Sequence, residues 1–277
     1  MKHNILLPTD FSKNAVNAAV YAMHLYANED CTFYFLHSSY FKYARSRALV
    51  TSHFISTLHK QGVEKLEELI QKFEKDKINP NHDFKTLIST EDLKIAIHDA
   101  VETHQISMVV MGTKGANEAP DIFAGSNTVD TLHHIKNCPV LIVPDNYQYI
   151  KPSLLAFPTD YNRFYKDKEL KPLLNMADLH SSKIKVLHIN VEKNLTDEQK
   201  GNMKVLDDYL LFHAHNFYWL PKNSAKSKAI EGFIDEFEIN ILVMVNYKHS
   251  LIETILNEPV IKKLAFHPKI PILVVPE

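Results

Sequence analysis

Glycine is scarce in this 277-residue chain, with six in all, yet three fall within fourteen residues, as Gly112-x2-Gly115-x9-Gly125 followed by Ser126. The cluster follows a strand-like apolar run, Ile106 to Met111, and precedes a helix-like run, Asn127 to Asn137. A strand, a loop with glycines at fixed offsets and a helix start together bring backbone N–H groups and the positive end of a helix dipole up to an anion, above all a phosphate. Glycine permits φ > 0 and lets a ligand approach without a Cβ in the way. Ser126 stands at the N-cap position, and Lys114 stands inside the loop, where it can neutralise phosphate. Glycines used only for tight turns, with a solvated lysine among them, would leave the same pattern. The cluster alone does not choose between the two readings.

A second candidate lies at the front of the chain. The apolar run Ile5-Leu6-Leu7 ends in Pro8-Thr9-Asp10, two residues before Ser12. An aspartate ending a strand can accept hydrogen bonds from ribose hydroxyls or a base. It can equally serve the turn and cap that Pro-Thr-Asp-Phe-Ser would build. Residues 38–50, SSYFKYARSRALV, mix Tyr40, Phe41 and Tyr43 with Lys42, Arg45 and Arg47. That mixture suits stacking on a base, a packed loop or an interface, and it contributes no residue to the candidate site. The sixteen histidines point to no metal site: His133 and His134 are adjacent, His213 and His215 would not share a helix face, and no HExxH or Cys/His cluster occurs. No Walker loop, kinase motif set or catalytic triad occurs either.

With these residues in place, the first half resembles the universal stress protein family. MGTKGANEAPDIFAGSNT fills every position of that family's G-x2-G-x9-G-(S/T) motif. ILLPTD (5–10), FLHS (35–38) and CPVLIVP (138–144) resemble its first, second and last strands, in the right order. The resemblance implies a five-stranded parallel sheet in the order 3-2-1-4-5. It also implies an ATP-type adenine nucleotide, with magnesium, at the crevice between strands 1 and 4. The site residues it implies are Pro8, Thr9, Asp10, Ser38, Met111, Gly112, Gly115, Gly125, Ser126, Asn127 and Thr128. Backbone near Ser38 would meet adenine, Asp10 the ribose or base, and the glycine loop the phosphates.

The elements that must position these residues recur twice. ILLPTD returns as LAFPTD (155–160), the run ending in His37 as one ending in His188, and PVLIVPD (139–145) as PILVVPE (271–277). Offsets of 150 and 132 residues are the length of a whole domain rather than of a solenoid repeat. We expect domains at 1–146 and 151–277, joined near Asp145–Pro152. In the first, strands are expected at 4–8, 32–37, 82–88, 106–111 and 139–143, and helices at 13–28, 50–76, 91–104 and 127–137. Such alternation predicts an α/β fold, two tandem doubly wound domains with helices on both faces of each sheet. The helix stripe Val63, Leu66, Leu69, Ile70 and Phe73 reads as a core face.

The second half has lost the motif. Aligned on its fourth strand, Gly112 becomes Asn246 and Gly115 becomes His249; aligned on its last, Gly125 and Ser126 become Asn257 and Glu258. One nucleotide per chain is therefore expected, with Asp160 left structural. The apolar fifth strands are expected to meet across an internal pseudo-twofold, with a homodimer through other surfaces left open. A formal charge of −2 argues against nucleic acid, and no run is long enough to span a membrane. Two isolated cysteines and no visible secretory signal suit the cytoplasm. The expected role is nucleotide-dependent sensing or stress response without enzymatic turnover. The alternatives are a slow ATP hydrolase or phosphotransferase using the same pocket, and a nucleotide-free interaction protein.

Overall fold

The computed structural model describes residues 2–40, 52–113, 125–190, 195–221, 226–247 and 269–277. The chain divides into two compact units, with Asn146 ending the first and Tyr147 opening the main span of the second. The first unit runs β1 (His3–Pro8), α1 (Lys13–Leu25), β2 (Cys31–Ser38), α2 (Ser52–Lys75), β3 (His82–Ser89), α3 (Leu93–His104), β4 (Met108–Gly112), α4 (Ser126–His134) and β5 (Val140–Val143). Its strands lie in the order β3-β2-β1-β4-β5. Every pairing in it is parallel. Ile5, Leu6, Phe33, Phe35, Val109, Val110 and Leu141 are wholly or almost wholly buried. Near-continuous apolar strands of this kind are what a sheet covered on both faces requires.

Local chemistry sets the helix ends. Ser12 Oγ accepts from Ala15 N at the start of α1, and Asp92 accepts from Lys94 N at the start of α3. Gln105, in the left-handed region at φ 50°, ends α3. Leu66 and Phe73 on the α2 stripe are buried, with Phe73 stacked on Phe35 at 5.4 Å. Strand β4 begins two residues later than its apolar run: the Ile106 amide bonds back to Val101 and the Ser107 amide to Asn4, closing the turn out of α3. Cys31 and Cys138 are buried free thiols, both pushed up to about 12 by burial.

The second unit runs β6 (Leu154–Pro158), α5 (Asp167–His180), β7 (Lys183–Asn190), α6 (Asp197–Leu210), β8 (His215–Pro221), α7 (Lys226–Phe237), β9 (Ile241–Asn246) and β10 (Ile272–Pro276). Its order, β8-β7-β6-β9-β10, repeats the winding of the first unit. In each unit the first strand lies between the second and the fourth, so the winding reverses there. That reversal leaves a crevice at the carboxyl ends of the two strands flanking it. Among the described residues no helix is long and apolar enough to cross a membrane.

Candidate functional site

Strand register brings the front and middle motifs of the first unit together. Pro8 pairs with Leu36, and Leu6 with Val109. Continuing those registers sets Asp10 level with Ser38 on one side, and Thr9 level with Gly112 on the other. Neighbouring strands lie about 4.8 Å apart, so Ser38, the Thr9–Asp10 turn and Gly112 lie side by side along the carboxyl edge of the sheet.

The turn after β1 is built from side-chain oxygens. Thr9 Oγ1 accepts from Phe11 N at 3.0 Å, and Asp10 Oδ1 accepts from Ser12 N at 3.0 Å. Thr9 N donates to Leu36 O at 2.8 Å, and His37 Nδ1–H donates to Thr9 O at 2.9 Å. Phe11 sits in the left-handed region at φ 64°. The turn reading of Asp10 is thus realised, and it leaves the carboxylate exposed at the mouth of the crevice.

Beyond β4, the ends of the glycine loop are clamped. Gly125 N donates to Thr113 O at 2.6 Å, and Thr128 Oγ1 donates to Gly112 O at 3.1 Å and to Thr113 O at 3.3 Å. Thr113 Oγ1 donates to Asp145 Oδ1 at 3.0 Å, tying the same point to the end of β5. The first turn of α4 is thereby held on the carbonyl of Gly112, beside the Thr9–Asp10 turn. Gly115 and Lys114 lie outside the described residues, as do Phe41 to Val50.

Two expectations need correction. Ser126 is not the N-cap of α4: Gly125 is, at φ −65° and ψ 166°, with no side-chain cap, and Ser126 is the first helical residue. Nor does Gly112 or Gly125 take φ > 0. A Cβ on Gly112 would meet Asn14 O at 3.1 Å and Asn14 C at 3.3 Å, so glycine there makes room for the backbone of α1. The consequence at α4 is chemical. Its N-cap is a glycine and so supplies no side-chain oxygen of the kind that the N-cap residues give to α1, α3 and α6, and its first turn carries no acidic residue.

The predicted residues divide by exposure. Asp10, Ser126 and Asn127 are exposed, and Ser38 and Gly112 are half-buried. Pro8, Thr9, Met111, Gly125 and Thr128 are buried and form the frame beneath them. Ser38 Oγ donates to Glu91 O at 2.6 Å, fixing the end of β2 against the loop into α3. Sequence reasoning missed Thr113, Asn14 and Asp145 as parts of this frame. Only their adjacency to the motifs marks them.

The second unit repeats the turn with nearly the same dimensions. Tyr161 N donates to Thr159 Oγ1 at 3.1 Å, Asn162 N to Asp160 Oδ1 at 3.1 Å, and His188 Nδ1–H to Thr159 O at 2.9 Å. Tyr161, at φ 56°, matches Phe11. At its crevice, however, side chains from the ends of β6 and β9 meet one another. Tyr247, which follows β9 where Thr113 follows β4, hydrogen-bonds Asp160 and is pushed up to about 12, chiefly by burial. The Arg163 guanidinium lies over the Tyr247 ring at 4.6 Å and the Tyr165 ring at 5.4 Å. It also donates to the fully buried Glu169 carboxylate at 2.6 Å. Burial works against that charge, and the hydrogen bond and charge of Glu169 more than offset it, so Arg163 is raised above its ordinary value. His249, Asn257 and Glu258 lie outside the described residues.

Among the described residues no group of three or more His, Cys, Asp or Glu side chains is arranged to hold a metal. His213 and His215 instead face Asp178 and Asp207, at 2.9 and 2.8 Å.

The first unit is a doubly wound α/β domain whose winding reverses at a crevice between β1 and β4, with a glycine-capped helix starting beside it. The sequence profile of the universal stress protein family matches residues 1–144, and the chain belongs to that family. No curated protein matches it in sequence. A universal stress protein of Archaeoglobus fulgidus DSM 4304 is similar in structure, at TM-score 0.72 and 16% identity over 99% of this chain and 96% of that one. A functionally unknown protein of Pseudomonas aeruginosa PAO1 is similar at TM-score 0.59 and 11% identity, over 99% and 92%. The cytoplasmic domain of a prokaryotic cation chloride cotransporter gives 0.56 and 9%, over 99% and 95%. At these identities the likeness is one of fold.

Proposed function

We propose that the first unit binds an adenine nucleotide of the ATP type at the crevice between β1 and β4, and that the chain acts as a nucleotide-dependent sensor in a stress response. The observation that carries this reading is the start of α4. Its N-cap is Gly125 of the family's glycine motif, it carries no acidic residue in its first turn, and Thr128 holds it on Gly112 beside Asp10. Helix N-terminal N–H groups and the dipole behind them favour a phosphate. Ser126 and Asn127, exposed in the first turn, would hold the phosphates together with the backbone at Gly112 and Gly115. Asp10 would accept from ribose hydroxyls, and the backbone at Ser38 would meet the base.

Magnesium fits as a companion of the phosphates rather than as a resident of the protein. It retains several waters and takes most of its ligands from phosphate oxygens, which suits a site with an exposed carboxylate and no preformed cage among the described residues. The described residues of the crevice supply no paired acid and base, and binding rather than turnover is the role we assign. The second unit would bind no nucleotide, because Asn246 replaces Gly112 and Tyr247 and Arg163 engage Asp160 and each other beside it.

Mass analysis of small molecules released from freshly purified protein, followed by calorimetry with MgATP, tests the reading. An adenine nucleotide released on denaturation, or saturable binding weakened by Gly115→Val with an intact circular dichroism spectrum, is the expected result. No adenine nucleotide bound at millimolar concentration overturns it.

A further inference from the structure

We infer that His37 is the positioning residue of the candidate site: it holds the Thr9–Asp10 turn in a backbone conformation that the sequence of the turn would not adopt unaided. Phe11 lies at φ 64°, a region that bulky side chains rarely enter and that costs of order 1–3 kcal/mol unless the surroundings fix it. His37 supplies two such constraints. Its Nδ1–H donates to Thr9 O at 2.9 Å, and its ring lies against the Phe11 ring with centroids 4.6 Å apart. The fold reserves space for this ring, since a Cβ on Gly62 of α2 would come within 2.9 Å of His37 Cδ2. Once the turn is fixed, Phe11 N and Ser12 N are taken by Thr9 Oγ1 and Asp10 Oδ1, and the Asp10 carboxylate is held at the crevice mouth.

The second unit is an independent occurrence of the same device. His188 Nδ1–H donates to Thr159 O at 2.9 Å, its ring stacks on Tyr161 at 4.9 Å, and Tyr161 is again left-handed at φ 56°. Histidine, carbonyl, aromatic ring and positive φ therefore travel together, with or without the glycine motif. His37 acts on the ligand through the backbone, not by touching it.

This inference rests on the nucleotide reading for its binding readout and carries a second readout that does not. His37→Leu removes the donor; His37→Asn restores a donor near the place of Nδ1. Phe11→Gly removes the need for a constraint, because glycine enters the left-handed region freely. In wild-type protein that binds MgATP, His37→Leu should lower affinity about tenfold, the cost of one part-buried hydrogen bond left unmade. His37→Asn and the double variant Phe11→Gly/His37→Leu should return to within about threefold of wild type by the same measure, and His188→Leu should leave the affinity unchanged. Amide exchange at Phe11 and Ser12 should be faster in His37→Leu and slow again in His37→Asn. A double variant as weak as His37→Leu overturns the inference, since it would mean that histidine meets the ligand directly. Unchanged exchange in His37→Leu overturns it as well. Absence of nucleotide binding in the wild type would sink the nucleotide reading alone, leaving the exchange experiment to decide for or against His37.

Discussion

The most direct test of how the frame is built is Gly112→Ala. The added Cβ would lie 3.1 Å from Asn14 O, 3.3 Å from Asn14 C and 3.3 Å from Asn14 Cβ. The first two are backbone atoms in the opening turn of α1, which the Ser12–Ala15 cap holds in place. No flexible side-chain tip is available to move aside, so α1 or β4 must shift by a few tenths of an ångström. Close packing makes such a shift costly, and we expect a loss of roughly 1–3 kcal/mol. Gly201 is the internal comparison. It lies inside α6, a Cβ there meets nothing within 4 Å, and alanine should stabilise that helix by about 0.5–1 kcal/mol. Urea denaturation followed by far-ultraviolet circular dichroism reads both, with the slope checked for constancy. The two substitutions make the same chemical change and should move the transition in opposite directions. A Gly112→Ala protein as stable as wild type would show that glycine is required there by the ligand, not by α1.

Three further outcomes are expected. Calorimetry should give a stoichiometry near one nucleotide per chain, because the second unit has Asn246 for Gly112 and a Tyr247 engaged with Asp160 and Arg163; a value near two refutes that account. Thr128→Val, which keeps the shape but removes a hydroxyl bonded to two carbonyls at 2% exposure, should cost about 1–3 kcal/mol in urea melts and weaken nucleotide binding; equal stability and affinity would show that the clamp is idle. His82 is fully buried, its Nε2–H donates to Tyr26 O at 3.0 Å, and burial lowers its affinity for a proton below the ordinary 6.5. Above 6.5 both folded and unfolded forms are neutral and the group contributes nothing. Below it the unfolded chain takes up a proton that the folded form refuses, so stability falls with pH. His82→Gln should flatten that fall in melts taken across pH 6.5, and an unaltered slope counts against the assignment.

Apolar runs made the strands of the first unit legible, because a covered parallel sheet needs strands that are apolar throughout, whereas their order came from the family resemblance. Residues 4–8, 32–37 and 82–88 were placed to within a residue of β1, β2 and β3. Helix ends were harder, since a cap depends on which oxygen turns inward. Ser12 does so at α1, whereas at α4 the hydroxyl of Ser126 lies one residue too late and glycine takes the cap. The sequence also shows that glycine stands at 112 without showing which neighbour requires it, because Asn14 is brought alongside only by the packing of α1 on β4. The change at the second crevice was half legible. Asn246 in place of Gly112 was visible, but Tyr247 and Arg163 act through stacking, which no linear spacing displays.

Duplication turns the second unit into a control on the first. The Thr-Asp turn, its left-handed aromatic residue and its histidine clamp are present in both units at distances that differ by about 0.1 Å. A feature shared so closely by a crevice with the motif and a crevice without it belongs to the fold's requirements, and Asp10 alone cannot mark a site. The difference between the units lies at the end of the fourth strand and just beyond it. There the first unit has Gly112, Thr113 and a helix capped by glycine, while the second has Asn246 and a tyrosine locked onto Asp160 and Arg163. On the proposed nucleotide reading, the ligand would therefore be selected on the β4 side of the crevice, and the β1 side would supply a turn already held in shape to meet it.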